Sequence, residues 1–324
     1  MRYGYRSRVW LCAAVTLLLA TGSHAQDKPA IIDVHIHAMP APLGYPICPL
    51  SGLAETKQPD GSDVCAKPFL SPASAEALRR QTLEVLRRHN VLAVISGPDL
   101  SVVEAWRKEQ PEKTLPALQT TGDDLNLASL RRMLEAGSIA VIGEVTAQYK
   151  TLPPNDPKLE PLYALAEEFD VPVGIHIAGI GAPTPTFRAA LGDPLLLEPV
   201  LVKHPKLRVY VMHAGFPFLD RMVSLLRLYP NVYVDIGWID WHMPRTVFHA
   251  YLKGLVEQGF EKRIMFGTDQ VSWPQAIELA IDGVRSAGFL TEGQKQDIFY
   301  NNAARFLRLQ GKAHAKPPSR SEEK

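Results

Sequence analysis

Eight short apolar runs recur along most of the chain, at 31–37, 91–97, 114–120, 139–147, 171–177, 207–213, 232–237 and 264–269, with segments of helical periodicity between them. Nothing else in the sequence restricts the fold as strongly. Residues 73–89 carry Leu78, Leu83 and Leu86 on one side, and 159–169 and 218–228 repeat the amphipathic pattern. Strands that alternate with helices pair in parallel, because each crossover needs a helix's length of chain. Eight such units in about 280 residues suit a (β/α)8 barrel, a TIM barrel, for which roughly 250 residues is typical. A doubly wound open sheet alternates in the same way and is the second architecture the pattern allows.

The two ends fall outside this pattern. Residues 1–25 hold Arg2, Arg6 and Arg8 without an acid, then the apolar stretch 9–20, then Ser23-His24-Ala25. That order is the layout of a cleavable export signal. Its apolar core of about a dozen residues is shorter than the roughly 20 that span a bilayer. We therefore expect cleavage after Ala25, no stable membrane insertion afterwards, and a periplasmic or secreted domain over 26–311. The tail 312–324, with Pro317 and Pro318, is expected to be disordered. Removal of the three arginines leaves 32 basic against 34 acidic residues. No basic excess remains to attract nucleic acid or an anionic membrane. A small molecule is the expected partner, and assembly into a homo-oligomer stays open.

Cysteine usage agrees with export. Beyond Cys12 only Cys48 and Cys65 occur, both within a stretch rich in proline and glycine, 38–72, that separates the first strand from the first helix. An oxidising compartment allows them to pair and staple that insertion. The alternatives are two thiols too far apart to bridge or a zinc site, the latter disfavoured because neither has a C-x-x-C neighbour.

The polar residues at strand ends carry the chemistry. In a strand positions 35 and 37 point the same way, so His35 and His37 stand side by side as a metal ion requires. A lone H-x-H is weak, but in a barrel every strand's C-terminal end faces one mouth. The fourth run brings Glu144 there, the fifth His176, the sixth His213 and the eighth Asp269. Taken singly, a strand histidine is often a satisfied core residue and a strand-end carboxylate often a helix cap. Taken together they would put six costly polar groups at the centre of one barrel with no ion to neutralise them. We read the set as a functional centre.

As a set these motifs resemble the amidohydrolase superfamily, specifically its amidohydrolase-2 branch. The resemblance rests on H-x-H, on His176, on His213-Ala214-Gly215-Phe216-Pro217 and on Gly267-Thr268-Asp269. Gly143-Glu144-Val145, Asn155-Asp156-Pro157 and the ending Asn302-Ala303-Ala304-Arg305-Phe306 add to it. It covers residues 31 to about 309, and the chain departs from the family in the long insertion 38–72. The resemblance implies that His35, His37, His176 and Asp269 ligate a divalent metal, most often zinc. It implies that His213 either polarises the attacking water or substrate or ligates a second ion, and that Glu144 occupies the position of a bridging ligand in two-metal members. One or two ions are compatible with this set, with two favoured by ligand count.

The expected reaction is hydrolysis of an amide, ester or lactone by a metal-activated water, with Asp269 moving the proton. Non-oxidative decarboxylation of an aromatic or unsaturated carboxylate is the alternative reaction. A non-catalytic metal or ligand binder is the alternative of another class, and loss of the aspartate on the last strand would have favoured it. Trp238, Arg245 and Trp273 follow the seventh and eighth strands and are expected to contact substrate, which points to an aromatic or carboxylated compound. Packing in a helical turn is the other role open to them. His89, His204, His249 and His314 read as surface residues.

Overall fold

The computed structural model describes Met1 and residues 30–309 apart from 124. The expected signal segment from residue 2 to 25 and the tail 312–324, with His314, lie outside the described residues. Eight parallel strands follow one another in chain order around a nearly closed barrel. They are β1 (Ile31–His37), β2 (Val91–Gly97), β3 (Thr114–Thr120), β4 (Val141–Val145), β5 (Val173–His176), β6 (Val209–Met212), β7 (Val232–Asp235) and β8 (Ile264–Met265). The open-sheet alternative is thereby set aside. Closure between β8 and β1 is made by the bridge Ile36–Gln270 and by N–H bonds from Val34 to Phe266 O and from Asp269 to His35 O. Asp33 completes it with its side chain: one oxygen accepts the N–H groups of His35 and Thr268, and the other accepts the Thr268 hydroxyl at 2.7 Å.

The helices that pack outside the barrel are α1 (Ala75–Arg88), α2 (Leu100–Glu109), α3 (Leu127–Glu135), α4 (Glu160–Glu168), α5 (Glu198–Lys203), α6 (Leu219–Leu228), α7 (Arg245–Glu257) and α8 (Gln275–Arg285). Helix α1 illustrates why they form. Ser74 caps it by accepting the Ala77 N–H, Glu76 sits in its first turn, Arg87 and Arg88 in its last, and Leu78, Leu83 and Leu86 are buried. No helix among the described residues is long and apolar enough to cross a membrane.

Below the site, the Tyr210 ring lies against β5 and its hydroxyl donates to Val34 O at 3.2 Å. Gly174 makes room for it, since a Cβ there would stand 2.3 Å from the ring. Above the strands, the insertion 38–72 is closed by a Cys48–Cys65 disulfide. It docks on the loops after β7 and β8. Leu50 N–H bonds Trp241 O at 3.0 Å, Gly52 N–H bonds His242 O at 2.9 Å, and Leu43 N–H bonds the Ser272 hydroxyl at 2.7 Å.

Candidate metal centre

All six strand-end residues expected from the sequence meet at one end of the barrel, and all are buried. His35 and His37 bring their Nε2 atoms to 3.2 Å of each other. Asp269 Oδ1 lies 3.0 Å from His37 Nε2 and 3.3 Å from His35 Nε2. Glu144 faces both sides of the site: Oε2 lies 3.5 Å from His37 Nε2, and Oε1 lies 3.8 Å from His213 Nε2. Compact donor groups result, one of His35, His37 and Asp269 and another of Glu144, His176 and His213; a third, His35 and His213 with Asp235, includes the acid that faces His35 Nδ1. His213 and Asp269 hold φ near +58° and +51°, a left-handed conformation that non-glycine residues seldom take and that concentrates at functional sites.

The outer nitrogens explain why the inner ones suit a cation. His35 Nδ1 donates to Asp235 Oδ2 at 3.1 Å, and His213 Nδ1 donates to the Gly237 carbonyl at 2.9 Å. His176 Nδ1 faces Gln148 Oε1 at 3.0 Å, and His37 Nδ1 faces the Ser96 hydroxyl at 3.3 Å, which itself donates to Ile36 O. In its neutral form each histidine thus spends its Nδ1 proton on an acceptor and presents an Nε2 lone pair inward, as ligating histidines held by outer partners do. Four inward lone pairs and two carboxylates cannot satisfy one another without a positive charge among them. The donor set fits a divalent metal.

Electrostatics point the same way. Burial works against ionised Glu144 and Asp269, yet the surrounding histidines outweigh it and hold both carboxyls below their ordinary values, Glu144 far below. Burial likewise opposes charge on His35, but Asp269 and Asp235 overcome it and raise this imidazole well above its usual value. His176 goes the other way, pushed down to about 3 by burial and by His213. With protons as the sole cations the acids draw one onto His35, whereas ligation requires a neutral ring; a metal ion would displace that proton.

The three residues expected to touch substrate are placed differently from one another. Trp238 is partly buried, with its ring 4.8 Å from Trp241 and 4.6 Å from His242. Trp273 is fully buried under the insertion and donates to Tyr45 O at 3.1 Å. Arg245 lies between α7 and α8, where it bonds the carbonyls of Asp240 and Leu279 and the Asp282 carboxylate. The last two therefore hold elements together, because their polar ends already have protein partners. His204 corrects the surface reading: it is 6% exposed and clamped between Glu167 and Glu160.

Several site residues escaped sequence reasoning. Asp33 and Asp235 are acids inside otherwise apolar strands, a signal that was available. Gln148 and Ser96 carried none. Tyr149 and Phe187 also pack on the His176 ring, at 5.0 and 5.9 Å, and make an aromatic wall at the mouth.

A family model described as Amidohydrolase matches residues 32–309. The chain belongs to the amidohydrolase family, in its amidohydrolase-2 branch. Solved structures with the same fold include a TIM-barrel protein from Bordetella bronchiseptica. That one is 20% identical, with TM-score 0.63, over 87% of this chain and 99% of that one. A probable 2-pyrone-4,6-dicarboxylic acid hydrolase from Acinetobacter baumannii is 15% identical, with TM-score 0.60, over 86% and 99%. A dihydroxybenzoic acid decarboxylase from Polaromonas sp. JS666, with bound manganese, is 13% identical, with TM-score 0.58, over 87% and 98%. Among curated proteins, Protein fluG of Emericella nidulans is 24% identical over 142 residues, 39% of this amidohydrolase, which spans only 16% of that relative.

Proposed function

We propose that this amidohydrolase is an exported, metal-dependent hydrolase of a small-molecule ester, lactone or amide. The observation that carries the reading is Glu144, whose two oxygens face the two donor groups from between them. A carboxylate so placed could serve an ion on either side of it, and two ions would suit hydrolysis. His35, His37 and Asp269 would hold one ion and His176 and His213 the other. Bound zinc or a similar ion lowers the pKa of its water to about 7 and polarises a carbonyl. Asp269 Oδ1 is directed at His35 and His37, leaving Oδ2 to take the proton of the attacking water and return it to the leaving group. Tyr149, Phe187 and Trp238 give the mouth aromatic faces suited to a planar substrate.

Decarboxylation of an aromatic carboxylate is the second reading, favoured by the likeness to the dihydroxybenzoic acid decarboxylase. A panel of aryl esters, lactones, amides and aromatic carboxylates separates the two. Hydrolysis that disappears in Asp269→Asn supports our reading, whereas release of carbon dioxide without hydrolysis overturns it. Export rests on the N-terminal signal pattern, and a mature chain beginning at Gln26 by mass spectrometry is its test.

A further inference from the structure

Gln148 lies in the turn after β4, 2% exposed, and its amide is bonded at both ends. Nε2 donates to the carbonyls of Ala178 at 2.8 Å and Arg188 at 3.0 Å. Two carbonyls can be served only by N–H groups, which fixes the orientation of the amide. The atom left facing His176 Nδ1 at 3.0 Å and the Ala178 N–H at 3.4 Å is therefore the oxygen. An amide oxygen cannot donate, so Nδ1 must carry the ring proton. The same amide grips the loop between β5 and α5 through Arg188. That loop folds back so tightly on its own start, just past β5, that a Cβ on Gly192 would stand 2.0 Å from the Ala178 carbonyl oxygen.

We propose that Gln148 is a positioning residue of the site, acting through His176. It locks His176 in the Nδ1–H tautomer, directs its Nε2 lone pair toward Glu144 and His213, and makes that orientation depend on the β5–α5 loop. The inference rests on reading His176 as a metal ligand, but the tautomer is a property of the metal-free protein and is measured without substrate.

The test is two-bond nitrogen–proton NMR of the histidine rings in metal-free full-length protein, together with zinc titration against a chelator. Wild type should show His176 as Nδ1–H. Gln148→Ala should lose that preference while the nitrogen–proton patterns of the other three site histidines stay as in wild type, and zinc affinity should fall about ten- to a hundredfold. Gln148→Glu keeps an acceptor opposite Nδ1 and should retain the tautomer, while losing the N–H groups that serve the Ala178 and Arg188 carbonyls and so loosening the loop. An Nε2–H ring in wild type overturns the proposal even if the alanine variant does not fold. So does an alanine variant with unchanged tautomer and zinc affinity. Failure of hydrolysis with the expected tautomers would instead overturn the proposed function alone.

Discussion

Asp235 accepts three hydrogen bonds at the end of β7: from His35 Nδ1 to Oδ2 at 3.1 Å, and from the N–H groups of Gly237 at 2.8 Å and His213 at 3.2 Å to Oδ1. In Asp235→Asn the two backbone donors need an acceptor and will hold the amide oxygen. The amide NH2 then faces His35 Nδ1, which must become an acceptor, so the ring proton moves to Nε2. That nitrogen can no longer ligate. Loss of outer-partner support lowers metal affinity about ten- to a hundredfold, or roughly 1.4–2.8 kcal/mol. The fold should suffer less, because both backbone donors stay paired: about 1–2 kcal/mol for exchanging charged for neutral bonds. Asp235→Ala is the contrast. It leaves two buried N–H groups unpaired and should lose roughly 2–6 kcal/mol of stability. Chelator-competition titration with zinc, paired with urea melts of the metal-free variants, reads both quantities. An asparagine variant that binds zinc within about twofold of wild type would refute the tautomer argument.

Other outcomes follow from the same geometry. Gly174→Ala pushes a methyl group into the Tyr210 ring and should destabilise the protein by about 1–3 kcal/mol in urea melts; a wild-type midpoint would show that the ring can move aside. Replacing Cys48 and Cys65 by serine opens the loop they close across a sequence separation of 17 and should weaken the insertion by roughly 3 kcal/mol, read as faster hydrogen exchange over 38–72. Burial disfavours ionised Glu160 and Glu167, but Lys203 and His204 at the first, and the Lys206 N–H with His204 at the second, hold both carboxyls below their ordinary value. Their stabilisation is thus present above the unfolded-state carboxyl pKa and lost as pH falls below about 4.5. Melts from pH 3 to 7 should show Glu167→Gln losing part of the acid-limb dependence, and an unaltered acid limb would count against it.

Much of this architecture was legible in the residues. The strands β1, β2 and β3 coincide with their apolar runs, and the β1–β2 ladder reaches from Ile31 to His37 with one irregularity between Asp33 and Ile36. The later runs outlast their strands. In β8 the ladder stops at Met265, since Thr268 turns to the Asp33 side chain and Asp269 adopts a left-handed backbone at the site. The six inward residues were readable because an ionisable group inside an apolar strand is costly unless it has a purpose. Their supports were not, because a glutamine or a serine in a loop has many ordinary roles, and only the fold brings Gln148 to His176. Arg245 shows the reverse error: a cation near the mouth in sequence was assigned to substrate, while an acid and two carbonyls on neighbouring elements hold it in place.

The central claim is that Glu144 joins two donor groups into one metal centre. Metal content per chain, measured by elemental analysis after loading with zinc and removal of excess, tests it most directly. We predict about two ions per chain in wild type and about one in Glu144→Ala. No tightly held ion in wild type, or an equal count in the two proteins, would contradict the account.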